Sequence, residues 1–98
     1  MARKFTRGTF ELEKNVTDLE AFENRHEPMI KEIIQWADSQ DIYLVFGTSN
    51  SNNYLCEFDI RADTAKMCKG YLMVLGEKMK AISKKARVIF QADGDLLW

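Results

Sequence analysis

The chain has 98 residues, of which 46 % are hydrophobic and 30 % charged, with a formal net charge of −1 and a pI near 5.8. That length is one domain by expectation, with apolar material for a single core. The balanced charge excludes a global field drawing in nucleic acid or anionic membrane, and no apolar run reaches the roughly 18 residues of a membrane span.

Residues 4–13 hold Phe5, Thr6, Thr9, Phe10 and Leu12, good strand formers interrupted by Gly8. They read as one bulged strand or as a tight hairpin. Phe10 and Leu12 share a face opposite Glu11 and Glu13. Thr17-Asp18-Leu19-Glu20 then has the form of a capping box, with Thr17 as the cap and Glu20 reaching back. An apolar stripe follows at helical spacing through Leu19, Phe22, His26, Met29 or Ile30, Ile33, and Trp36 or Ala37. Pro28 lies inside that stripe. A proline removes one helical hydrogen bond and clashes one turn back. The expectation is a short helix to Asn24, a break near His26-Glu27, and a second helix from Pro28 to Ser39.

Ile42 to Phe46 is almost wholly apolar and reads as a central strand. Residues 47–53 are small and polar after Gly47, the clearest loop in the chain. Tyr54, Cys56, Phe58 and Ile60 then alternate with Leu55, Glu57 and Asp59, so the two runs form a hairpin. Asp63 or Thr64 caps a second helix with the stripe Cys68, Leu72, Leu75, Met79 and Ile82, widened by Tyr71 and Val74. Gly70 and Gly76 inside it suggest close backbone approach. Arg87 to Gln91 is the next strand. Asp93-Gly94 is a turn signal, with a short C-terminal strand expected from Leu96.

Strand, helix, strand, strand, helix, strand is the order of a split βαβ unit. It resembles the ferredoxin-like βαββαβ two-layer sandwich of the α+β class: one 1–98 domain, an antiparallel sheet and two helices on one face. The resemblance is topological, and this fold hosts unrelated functions.

The charge is unevenly placed. Residues 11–41 carry nine acids against Lys14, Arg25 and Lys31, and residues 61–87 carry eight bases against Asp63 and Glu77. The first helix is acidic and the second basic. The plain reading is two solvated faces that complement each other; the functional one is a basic surface for phosphates or an acidic partner. Cys56 and Cys68 are too few for a disulfide framework and form no CxxC motif, so buried free thiols in a reducing, cytoplasmic setting are expected. No signal-peptide core follows the basic Arg3, Lys4 and Arg7.

Traces of catalysis are thin. His26 is the single histidine and reads as a partly buried helix residue, with no nucleophile placed by any motif. There is no P-loop, GxGxxG or nucleophile elbow, and one histidine with two scattered cysteines makes no zinc site. No cofactor is implied. Glu11 and Glu13, a carboxylate pair, read as solvent-facing on an edge strand.

Three surfaces remain. Thr48, Ser49, Asn50, Ser51 and Asn52 in the 47–53 loop offer hydroxyls and amides to a small ligand. The helix-free face of the sheet, with Tyr43, Val45, Tyr54 and Leu55, is too apolar for a solvated surface and suggests a protein partner or a second copy, as a homodimer. Trp98 at the end of the chain could join or cover it. Tyr43, Tyr54 and Phe58 with the basic 61–87 segment form an alternative, a single-stranded nucleic-acid platform, although the basic-Gly-aromatic-Gly signature does not precede Tyr54. The leading expectation is a small non-enzymatic binding or regulatory module, of the inhibitor or adaptor type, without a membrane role.

Overall fold

The computed structural model describes residues 3–97. In chain order they form β1 (Lys4–Glu13), α1 (Leu19–Ser39), β2 (Tyr43–Thr48), β3 (Tyr54–Ala62), α2 (Ala65–Ile82) and β4 (Arg87–Asp95). The sheet order is β2-β3-β1-β4 with every neighbouring pair antiparallel, and both helices pack on one side. This is the ferredoxin-like α+β sandwich that the element order resembles.

Strand alternation sets the core. On β3, Tyr54, Cys56, Phe58 and Ile60 all turn inward and are buried. Phe10 and Leu12 join them from β1, and the Phe10 and Phe58 rings meet at 5.2 Å between centroids. α2 seals this layer with Cys68, Leu75, Met79 and Ile82; α1 adds Phe22, Ile33 and Ala37. Val74 remains exposed, outside the α2 stripe. Thr64 caps α2, its hydroxyl accepting from the Met67 amide at 3.1 Å.

Several expectations are corrected. α1 is one helix through Pro28, not two. Phe22, Ile33 and Ala37 bury in one continuous register across the proline, while Pro28 and Asn24 are both exposed, so the hydrogen bond that the proline removes is lost on the solvent side of the helix. The cap of α1 is Asp18, not Thr17; its carboxylate accepts from the Ala21 amide at 3.0 Å, and the helix starts one residue later than a Thr17 cap would set it. Residues 4–13 are a single strand in the middle of the sheet, with its own bulge at Leu12 against β3, while the step in its pairing with β4 lies on β4. Gly8 is required there: a Cβ would stand 2.0 Å from the Phe90 carbonyl oxygen and 2.9 Å from the Phe58 ring.

β2 is an edge strand, not a central one, and it runs on to Thr48. Its apolar character has a different cause, since α1 packs on its inner side and half-buries Leu44 and Phe46. β4 runs straight through Asp93-Gly94 with no turn. Gly94 is there to receive a ring, because the Phe5 side chain lies 2.8 Å from where its Cβ would be. No separate C-terminal strand exists among the described residues; Leu96 continues alongside β1 by donating to the Arg3 carbonyl at 2.9 Å. Gly76 does face the sheet, 3.8 Å from the Phe10 ring, but Gly70 opens on solvent.

The acidic and basic helices meet, yet among the described residues no ion pair between them is seen. Instead the Lys78 ammonium lies 5.0 Å from the centre of the Trp36 ring.

Candidate functional site: the helix-free face of the sheet

Pairing assigns this face residue by residue. One row across the sheet is Tyr43, Asp59, Arg7 and Ala92; the next is Val45, Glu57, Thr9 and Phe90. Tyr43 is 65 % exposed, Phe90 57 % and Val45 41 %, and Leu55 on the same face is half-buried. These apolar groups flank a polar middle. A shallow cavity of about 270 Å³ lies between Tyr43 and Phe90, with Asp59, Glu57, Thr9 and Arg7 around it.

The electrostatics of that cavity are incomplete. Asp59 Oδ2 accepts from the Arg61 guanidinium at 3.4 Å, but Asp59 Oδ1 is buried and has no hydrogen-bond partner. The Arg7 guanidinium lies 4.2 Å from the centre of the Phe5 ring. A buried carboxylate oxygen left unsatisfied costs more than one open to water.

Tyr54 does not belong to this face. It is fully buried on the core side, as is Phe58 at 3 % exposure, so neither can stack a base or meet a partner. The odd-even phase of β3 turns both inward with Cys56 and Ile60. Of the aromatic trio, Tyr43 alone is presented. Trp98 lies outside the described residues, and Leu97 before it is 90 % exposed and covers nothing.

The loop is a hairpin turn of residues 49–53, with Gly47 and Thr48 already in β2. Its polar groups hold the turn together. Ser49 Oγ accepts from the amides of Ser51 and Asn53, both at 3.3 Å, and Asn52 adopts φ 61°, which asparagine tolerates. Asn53 receives the Asn15 amide on Oδ1 and donates to Glu11 Oε2 at 3.4 Å, while Val16 donates to the Asn52 carbonyl. Asn50 and Ser51 project into solvent.

Glu11 is a further correction. It is 8 % exposed in a central strand, held by Asn53 and by Arg87 at 3.4 Å, with Lys14 at 3.9 Å. It anchors loop, sheet and linker. Glu13 is half-buried.

His26 is half-buried with its ring 4.6 Å from that of Phe22. Both cysteines are buried and free. Burial pushes the Cys56 thiol up to about 12 and raises Cys68 as well, which keeps both protonated and poorly nucleophilic.

Sequence reasoning missed Phe90 and Asp59 as members of the site. Phe90 is brought to this face by the bulge at Ile89, where the pairing steps from Thr9–Phe90 to Phe10–Val88. Nothing in RVIFQ marks that extra residue.

No protein-family model matches the chain, and no curated protein matches it. Among solved structures it is similar to the de novo designed protein Foldit4, with 10 % identity over 94 % of this chain and 96 % of that one and a TM-score of 0.62. It is more loosely similar to the de novo designed protein LFR1 1 with ferredoxin fold, at 13 % identity over 100 % of this chain and 88 % of that one, with a TM-score of 0.49. PelD from Pseudomonas aeruginosa PA14 matches at 12 % identity and a TM-score of 0.49, over 97 % of this chain and 32 % of that one. These likenesses are of fold alone. Among the described residues no helix is long and apolar enough to cross a membrane.

Proposed function

We propose that this chain is a small non-enzymatic binding or regulatory module that engages a protein partner through the helix-free face of its sheet, and that it also self-associates. The observation that carries the reading is the Asp59 carboxylate, which lines the cavity between exposed Tyr43 and Phe90 and has one oxygen, Oδ1, buried without a hydrogen-bond partner. An arginine or lysine from a partner would pair with that carboxylate, and aliphatic neighbours on the same partner would cover Tyr43, Val45 and Phe90. The two buried, protonated thiols and a His26 ring set against Phe22 support a binding role over a catalytic one. Free thiols also fit a cytoplasmic location.

The test is a nuclear magnetic resonance titration with a short peptide carrying one arginine between aliphatic residues. Shifts confined to Tyr43, Asp59, Glu57 and Phe90, and lost in Asp59→Asn, support the reading. Shifts that are absent at high peptide concentration, or that survive Asp59→Asn unchanged, overturn it.

A further inference from the structure

β4 ends the sheet, and β1 is its strand partner among the described residues. Alternate residues along its outer side therefore turn amide and carbonyl groups away from the sheet. Neither flat side is well covered. α2 packs on β1 and β3 and leaves a cleft of about 630 Å³ beside β4, lined by Thr6, Lys69, Leu72, Met73, Gln91 and Asp93. Val88, Ile89 and Phe90 are 37 %, 45 % and 57 % exposed. Natural edge strands are usually short or carry a charge in mid-strand. β4 is nine residues long and has no charge between Arg87 and Asp93. The bulge at Ile89 interrupts its first third, and Phe90 to Asp95 is regular.

The charges lie at the two ends, and they are opposite. Lys84, Lys85 and Arg87 precede or open the strand, and Asp93 and Asp95 close it. A strand with this pattern repels itself in parallel and attracts itself in antiparallel, since the basic end of one copy then lies along the acidic end of the other. We infer that the outer edge of β4 pairs antiparallel with β4 of a second copy of this chain about a twofold axis, giving one continuous eight-stranded sheet. Arg87 also meets Glu11, and Lys4 meets Asp95, but the Arg87 and Asp95 side chains are 61 % and 64 % exposed and remain open to a neighbour. The inference rests on the self-association part of the reading above. It leaves the helix-free faces of both copies side by side and free for their partner.

The experiment is sedimentation velocity on the full chain from low to high micromolar concentration, with three variants whose fold is checked by circular dichroism. K84E/K85E makes both strand ends acidic, and D93K/D95K makes both basic. Each variant alone should self-associate about tenfold more weakly than the native chain, because like charges now face each other. An equimolar mixture of the two should recover a heterodimer, and added salt should weaken the native dimer. The third variant, Tyr43→Glu, should leave the dimer intact. A native dimer that ignores the charge changes and falls apart with Tyr43→Glu overturns the edge pairing while self-association stands. A native chain that stays monomeric at every concentration overturns both, without touching the peptide-binding test.

Discussion

The hydroxyl of Tyr54 donates to Glu23 Oε2 at 2.9 Å, tying the first residue of β3 to the second turn of α1. The Tyr54 ring is sandwiched nearby, 4.7 Å from Phe22 and 6.3 Å from Phe46 between centroids. A large ring thus fills the core while its polar end reaches the one kind of partner that justifies burying it. Tyr54→Phe keeps the ring and deletes the bond. It should lower stability by about 1–2 kcal/mol in urea unfolding, as expected for a hydrogen bond to a charged acceptor. A midpoint equal to that of the native chain would show that water serves Glu23 equally well.

Stability should fall in alkali. Burial raises the pKa values of Tyr54, Cys56 and Cys68, with Glu23 adding to the effect on Tyr54. The Cys56 thiol, ordinarily near 9, titrates at about 12 in the folded chain. Between those values the unfolded chain has released a proton that the folded chain still holds, so the unfolded state binds fewer protons and stability decreases as pH rises. The contribution is whole below about pH 9 and is lost towards pH 12. The slope for one such group is about 1.4 kcal/mol per pH unit. Urea midpoints should therefore be flat from neutral pH to about 9 and drop beyond it, and less steeply in Cys56→Ala. Equal slopes in the two proteins would remove Cys56 as a cause.

Two glycines should respond in opposite senses. Gly8→Ala drives a methyl into the Phe90 carbonyl, and neither backbone can move without breaking the β1–β4 ladder. A loss of roughly 2–3 kcal/mol is expected, with amide exchange in β4 accelerated most. Gly70→Ala points into open space on a helix and should gain about 0.5–1 kcal/mol. Thermal melts of both variants give the answer, and a stabilised Gly8→Ala would contradict the close approach of β4.

Pro28 gives a third sign to check. Its neighbours Glu27 and Met29 are exposed, and no buried contact of α1 depends on the ring. Pro28→Ala restores an amide to the helix and should raise stability by about 1–3 kcal/mol in denaturant unfolding. A loss instead would mean that the core is shaped to a bend at this residue.

Asn53→Ala should release the hairpin from its base. It removes both the acceptor for the Asn15 amide and the donor to Glu11. The cost should be about 1 kcal/mol, with faster amide exchange at Asn15. Exchange that is unchanged at Asn15 would show the loop to be held by Ser49 and Asn52 alone.

What the sequence determined by itself is the order of strands and helices and the two-residue alternation of the hairpin. The reason is physical: the alternation of Tyr54, Cys56, Phe58 and Ile60 and the helical stripe Cys68, Leu75, Met79 and Ile82 are periodicities that local geometry imposes. That alternation also means that Tyr54 and Leu55, both expected on the outer face, cannot share it, and the burial of Tyr54 decides which of them lies outside. Tertiary structure alone decided the rest. Which strand is central is a matter of long-range pairing, and an apolar edge strand under α1 reads like a buried middle one, as β2 does. Pro28 breaks a helix only when its local cost exceeds the burial on either side, and that burial is supplied from across the molecule. Asp93-Gly94 looks like a turn until the Phe5 ring from another strand claims the space above Gly94. The candidate site was half legible for the same reason. Tyr43 and Val45 follow from alternation, whereas the Ile89 bulge that presents Phe90 and the unpartnered oxygen of Asp59 exist only once four strands lie side by side.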